Sequence, residues 1–473
     1  MRTQRSTTSR GSLVAIVGGG FCGTMVAVNL ARRAAARPLK IVIFERGERI
    51  AKGAAYGTTS PHHLLNVPAG HMSAFPDLPG DFLRWLRARD PDADAATFAP
   101  RRLYGEYLEE TLFRVAAESA ASIAWIREEI VDLHETGSGV VLVGRDGSRT
   151  RADRAVLALG HAPPALPVAP CEADELGQRY VENPWSADPL DGLGPDDRVI
   201  LLGSGLTAVD VIADARARGH RGTLTAISRH GLLPCGHRSF APVPVNAFDV
   251  RSALTTKGVL RHFRTEGRRI EREGGDWRGV FDSLRGDFPA IWNALSDPQK
   301  ARFLRHLVPF WDIHRHRVAP EIANTIETAQ RDRQLHVLAG RPRSIEPDGD
   351  EAAVTFTPRG QTGVQRLRAK RVINCTGPGR RIAPGHSPLV DALLVRRLAR
   401  PDVFALGLSA DEKCAIVDAS GEPSRRVFAL GPVLKGGRWE TTAVRELRGQ
   451  ANDLAVHLLE LAAAPPRTES RVA

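Results

Sequence analysis

The stretch Leu13-Val-Ala-Ile-Val-Gly-Gly-Gly-Phe-Cys-Gly23 reads as a buried strand running into a glycine-rich turn. Gly18, Gly20 and Gly23 stand at the spacing where the first permits a tight turn, the second lets backbone approach a pyrophosphate, and the third lets a helix pack on the strand. A helix over about Thr24 to Ala36 would aim its first N–H groups at that phosphate. With 44 glycines in 473 residues such a pattern can arise by chance, so its context decides. Lys40-Ile-Val-Ile-Phe44 reads as the next strand and ends in Glu45, 22 residues beyond Gly23, where an acid that accepts from a ribose 2′-hydroxyl belongs. Gly18, Gly20, Phe21, Cys22, Gly23, Glu45 and Arg46 are the candidate contacts of this site. The competing reading is a tight turn that holds no ligand.

Arg198-Val-Ile-Leu-Leu-Gly-Ser-Gly-Leu-Thr-Ala208 repeats the pattern, with Gly203, Gly205 and Ala208 in the three positions. Its second strand, Thr223 to Ile227, leads into Ser228-Arg229-His230, and the acid is missing. An arginine there favours a ribose 2′-phosphate, which guanidinium grips through two parallel hydrogen bonds, and so points to NADPH rather than NADH. The other reading is that Arg229 is merely exposed. Gly203, Ser204, Gly205, Leu206, Thr207, Ser228 and Arg229 are the candidate contacts. The same sequel follows both motifs: alternating runs at Ile130 to Leu133 and Gly139 to Val143 precede a strand ending in Gly160, and runs at Ala352 to Thr357 and Gln365 to Ala369 precede one ending in Gly377. Asp402 to Gly407 and Arg426 to Gly431 read as two further strands ending in glycine, and Lys435 to Arg445 enters a long helix to Leu461.

Between the first two strands and the later ones lies the shaped loop Ser60 to Ser73, where His62, His63, Asn66 and His71 sit among apolar residues. That mixture suits a wall beside a planar cofactor, with Asn66 the residue facing it; for each histidine a surface role is the simpler reading. Ser252 to Gln330 is mostly helical and carries Phe310-Trp-Asp-Ile-His-Arg-His-Arg-Val318. His314 and His316 would point about 200° apart on a helix, a poor metal site but a reasonable polar pocket lining, with a solvated helix end as the alternative.

At 51.4 kDa the chain exceeds what one core usually supports. The net charge of +11 comes from arginine, 58 of the 65 basic residues, scattered without a basic block or a nucleic-acid-binding motif. Five cysteines, at 22, 171, 235, 375 and 414, are odd in number and widely spaced, which suits reduced thiols in the cytoplasm. No run approaches the ~18 apolar residues of a membrane span.

The order of parts resembles the two-dinucleotide-domain flavoproteins of the glutathione-reductase-like group. More narrowly, Tyr56-Gly-Thr58, His63-Leu-Leu-Asn-Val-Pro-Ala69, Met72-Ser73, Gly205-Leu-Thr-Ala-Val-Asp210, His314-Arg-His-Arg317 and Trp439-Glu-Thr-Thr-Ala443 resemble a bacterial FAD/NAD(P)-binding family, a relation that spans nearly the whole chain. The resemblance implies an α/β fold with an FAD domain (1–165 and 376–473) and an inserted NADPH domain (166–375) containing a mostly helical insertion at about 240–332. It also implies FAD contacts at Asn66, Gly160, Gly377, Gly431 and Glu440 beside those of the first motif. Asn66, His71, Trp311, His314, Arg315 and His316 are the candidates for the substrate and flavin pocket, with no metal. The disulfide reductases of this group carry a redox cysteine pair, which Cys22 lacks. The signature Phe-x-Gly-x-x-x-His-x-x-x-Trp of related monooxygenases is replaced by Tyr180-Val-Glu-Asn-Pro-Trp185. The implied activity is a monooxygenase in which NADPH-reduced FAD and molecular oxygen form a hydroperoxide that oxygenates a small molecule. Two alternatives stand beside it: a reductase passing electrons to another acceptor, and a non-catalytic FAD/NADP-binding regulator.

Overall fold

The computed structural model describes residues 12–34, 39–164, 173–241, 244–249, 254–379, 381–382, 385 and 387–463; Cys171 and the two tails lie outside the described residues. Strand β1 (Ser12–Val17) forms where the sequence is continuously apolar, and Val14 to Val17 are buried, each of the larger side chains contributing about 1.5–3 kcal/mol. Helix α1 (Phe21–Arg33) starts three residues earlier than Thr24 because Gly20 is itself the N-cap. β2 (Leu39–Glu45) runs parallel to β1, and helix α2 (Arg101–Glu118) and β3 (Ser122–Arg127) follow. An antiparallel sheet of β4 (Ile130–Thr136), β5 (Gly139–Gly144) and β6 (Arg149–Ala152) leads to β7 (Arg154–Leu157), which lies parallel to β1 on its other side. Near the end of the chain, β17 (Ala415–Val417) and β18 (Pro423–Ala429) complete the sheet in the order β17-β18-β7-β1-β2-β3.

The second sheet repeats this plan. β10 (Val199–Leu202) lies between two parallel neighbours, β11 (Leu224–Ser228) and β15 (Arg371–Asn374), and leads into helix α3 (Leu206–Ala217). β12 (Leu335–Asp348) runs parallel to β11, then bends at a bulge between Pro342 and Ser344 into an antiparallel extension with β13 (Glu351–Pro358) and β14 (Gln365–Ala369). With β9 (Tyr180–Val181) on β15 the order is β14-β13-β12-β11-β10-β15-β9. The segments that cross between the two sheets, β8 (Ala162–Pro164) and β16 (Pro378–Gly379), pair with each other.

The helical run divides in two. Its last helix, Pro320–Arg331, buries Ile326 in the same core as Val209 and Ile212 of α3, and so completes the crossover from β11 to β12. The earlier helices, from Thr256–Arg272 to α4 (Val308–Arg315), pack on each other through aromatic side chains and on the C-terminal segment through Trp292, which stacks on Trp439 at 4.6 Å. Asp402 to Gly407 is not a strand. The Asp402 carboxylate accepts from the N–H groups of Phe404 (2.8 Å) and Gly407 (2.5 Å) and folds the segment into a closed turn, with Ala405 at φ 53°. The described residues end in α5 (Val444–Ala463), packed along α1.

Candidate functional site

The two glycine motifs build the same cradle. Gly18 lies at φ 103° and its N–H donates to Phe44 O at 2.8 Å, while Gly203 lies at φ 116° and donates to Ile227 O at 2.8 Å. A Cβ on Gly18 would stand 2.2 Å from Ala158 O, and one on Gly203 2.3 Å from Cys375 O, so each turn presses on the strand beside it. Gly23 serves the helix: its Cβ would be 1.9 Å from Gly18 O. Both helices start at a glycine, Gly20 and Gly205, and no side chain caps either one. The first N–H groups of a helix have no intrahelical partner and carry its positive dipole end, so each cradle suits a pyrophosphate.

The cradles differ at the end of the second strand. Glu45 accepts from Gly19 N–H through Oε2 and from Gly47 N–H through Oε1, both at 2.8 Å, and so also holds the turn. Each carboxylate oxygen can accept a second bond, which leaves room for ribose hydroxyls. Ala51 covers this turn, donating to Gly19 O at 2.7 Å from φ 70°. Arg46 points away, exposed and 3.8 Å from Glu129. In the second copy Arg229 is exposed at the end of β11. Ser204 and Ser228 turn their hydroxyls inward: Ser204 Oγ is 2.8 Å from Ser228 Oγ and 2.5 Å from Leu232 O, and Ser228 Oγ accepts from Gly231 N–H. They shape the loop beneath Arg229, while Gly205, Leu206 and Thr207 open the helix.

The remaining candidates separate into two groups. Gly431, at φ 93°, lies against Cys22, where an added Cβ would be 2.7 Å from Sγ, so the C-terminal segment reaches the first cradle. Burial pushes the Cys22 thiol up to about 12, which leaves it unreactive. Gly160 and Gly377, at φ 69° and 78°, follow β7 and β15 with open space around them. The Asn66 carbonyl lies 3.0 Å from His237 Nε2, and His71 is exposed at the end of a short turn, Ala69–His71. Trp311 and His314 belong instead to the packing of the insertion. Trp311 meets Phe288 at 4.5 Å, and His314 stacks on Phe281 and donates from Nδ1 to Phe310 O, 2.7 Å away. The cavity beside Trp311, lined by Phe263, Trp292, Phe303 and Trp439, measures about 20 Å³ and holds no more than a water-sized group. Arg315 is buried and committed to Glu440 at 2.6 Å, and His316 ends the helix. Among the described residues no cluster of metal-ligating side chains occurs.

A profile of the FAD-NAD(P)-binding family matches residues 15–162, the segment that contains the first cradle. No curated protein sequence matches the chain. Solved structures share the fold over nearly all of it. L-lysine 6-monooxygenase from Pseudomonas syringae is 15% identical with a TM-score of 0.64, covering 96% of this chain and 100% of that one. Ornithine N-hydroxylase from Kutzneria sp. 744 is 14% identical with a TM-score of 0.62 (95% and 99%). Thioredoxin reductase from Lactococcus lactis is 12% identical with a TM-score of 0.55 (96% and 99%).

Outside the matched segment, the structure adds two arginines that the sequence pattern did not single out. β12 pairs with β11 so that Ala339 faces Ser228, and Arg359 N–H donates to Ala339 O at 2.8 Å. Arg341 and Arg359 thus stand at the same sheet end as Arg229, exposed, and neither makes an ion pair or side-chain hydrogen bond with a described residue. Burial, then the charges of Arg359, Arg229 and Arg341, hold the His230 imidazole below its usual value. They lie more than 100 residues from Arg229 in sequence, and only the strand pairing brings them there.

Proposed function

We propose that the chain is an FAD-dependent, NADPH-using oxidoreductase, with FAD resident on the first cradle and NADPH visiting the second. The observation that carries this reading is the duplicated cradle with opposite charge at one equivalent place, Glu45 in the first copy and Arg229 in the second. The FAD domain is then 1–165 with 376–473, and the NADPH domain lies between them. Residues present fit both groups: left-handed glycines, uncapped helix starts, a carboxylate for ribose hydroxyls, and a three-arginine sheet end for a 2′-phosphate.

FAD, when bound, supplies hydride acceptance from NADPH and, once reduced, the activation of oxygen. Gly18 and Gly20 would bring backbone against its pyrophosphate, and Glu45 would accept from its ribose hydroxyls. Gly431 closes the cradle from the C-terminal side. The aromatic block around Trp292, Trp311 and Trp439 packs the helical insertion on the segment that follows Gly431. The buried Arg315–Glu440 pair fixes α4 against the segment before α5, so these two residues shape the site instead of meeting a substrate.

For the reaction itself the reading is oxygenation of a small molecule. No two of the five cysteines stand at a Cys-x-x-Cys spacing and Cys22 has no neighbour in sequence to pair with, which argues against dithiol exchange. The fold relatives named for L-lysine and ornithine make amines the first candidates. The test is to measure oxygen uptake and hydrogen peroxide release under NADPH with L-ornithine, L-lysine and a panel of other small amines and carbonyl compounds. An oxygenase shows uptake exceeding peroxide release for at least one compound; equal amounts throughout the panel contradict it.

A further inference from the structure

The helix proposed to carry NADPH, α3, is tied to the other half of the molecule by two acids on its inner face. Asp210 and Asp214 are 5% and 4% exposed. Arg101, at the start of α2, donates from Nη2 to Asp210 Oδ1 at 3.0 Å and sets Nη1 2.8 Å from Oδ2. Its Nε donates to Leu64 O at 3.1 Å, so one guanidinium clamps α3 and the loop Ser60 to Ser73 together. Ser60 Oγ donates to Asp214 Oδ1 at 2.7 Å, and Arg218 balances the other oxygen at 2.5 Å. The same loop meets the second half twice more, through the His63 ring edge-on to Trp185 at 5.6 Å and through Asn66 O with His237.

Asp210 sits four residues beyond the first residue of α3, about 6 Å along the axis from the cradle. Hydride transfer needs two rings in near-contact, and a misplacement of about 1 Å can cost on the order of a hundredfold in rate. We propose, resting on the functional reading above, that Arg101 and Asp210 are positioning residues. Their ion pair, with Ser60–Asp214 beside it, fixes the NADPH helix against the loop that would line the flavin, so that the two cofactors meet in one preset geometry. The pair acts through α3, which carries Asp210, and through Leu64, whose carbonyl Arg101 holds.

The test is anaerobic stopped-flow reduction of the FAD-loaded protein by NADPH, comparing Asp210→Asn and Ser60→Ala with the unsubstituted chain. The readouts are the limiting reduction rate, the NADPH Kd and the long-wavelength absorbance of nicotinamide stacked on reduced flavin. The proposal expects Asp210→Asn to lower the limiting rate about tenfold or more and to weaken that absorbance, with NADPH Kd changed less than about twofold. Ser60→Ala, which leaves Asp214 paired with Arg218, should lower the rate by a smaller factor and decides the matter if Asp210→Asn does not retain flavin. Unchanged limiting rate and absorbance in the variants overturn the positioning role even if they melt earlier. An unsubstituted protein that NADPH does not reduce removes the functional reading itself, and the positioning role with it.

Discussion

Under the proposed function, Glu45 and Arg229 set which cofactor each of two like cradles takes. The first is tied to the turn by two 2.8 Å bonds from Gly19 and Gly47, and the second is exposed at the end of β11, at the same sheet end as Arg341 and Arg359. His237 adds a pH-dependent element at the same scale. Burial, reinforced by the charge of Arg317, pushes its imidazole down to about 4. In the unfolded chain the ring takes up a proton near pH 6.5. The unfolded state therefore binds more protons between these values, and the stability contribution is complete above about pH 6.5 and is lost as pH falls toward 4. His237→Asn should flatten the fall in Tm between pH 7 and pH 5, measured by calorimetry; parallel curves for the two proteins would contradict this. What the sequence made legible at this scale was local: Gly18, Gly203 and Glu45 follow from spacing alone. Arg341, Arg359 and the Asp210–Arg101 pair were not, because no local rule connects residues that meet only through strand order and packing.

Elements were legible where a run was continuously apolar or punctuated by glycine, as in β1, β10 and the turns after them. β12 was missed because its 14 residues alternate irregularly and bend at a bulge between Pro342 and Ser344. Asp402 to Gly407 misled because an apolar run before glycine reads as a strand, whereas the Asp402 carboxylate supplies the acceptors that a neighbouring strand would have offered. The Arg315–Glu440 pair joins α4 to the segment before α5 with both side chains under 10% exposed. Removing one partner of such a pair leaves an uncompensated buried charge, typically costing about 3–5 kcal/mol, whereas replacing both with well-packed residues is often neutral. Glu440→Gln should therefore lower unfolding free energy by about 3 kcal/mol, and adding Arg315→Met should restore most of it. A double-mutant cycle by denaturant unfolding checks this, and a single-variant loss below about 1 kcal/mol would count against the pair as a structural lock.

At the scale of the whole molecule, the repeat is the organising fact: two mixed sheets with parallel centres, each with its glycine turn pressed on a neighbouring strand, joined where β8 and β16 cross between them. That plan was legible from the order of motifs. The clamp of the loop Ser60 to Ser73 on α3 was not, since it depends on how the halves face each other. No helix among the described residues is long and apolar enough to cross a membrane. The central claim is that the first cradle keeps FAD while the second receives NADPH through Arg229. The most direct test follows the bleaching of bound flavin after anaerobic mixing with NADPH or NADH, in the unsubstituted protein and in Arg229→Ala. The account predicts rapid bleaching by NADPH and an Arg229→Ala loss of roughly tenfold to a hundredfold in apparent NADPH affinity, from about 1.5–3 kcal/mol of charged hydrogen bonding, with little change for NADH. Equal losses for the two nucleotides, or flavin that neither one bleaches, would contradict it.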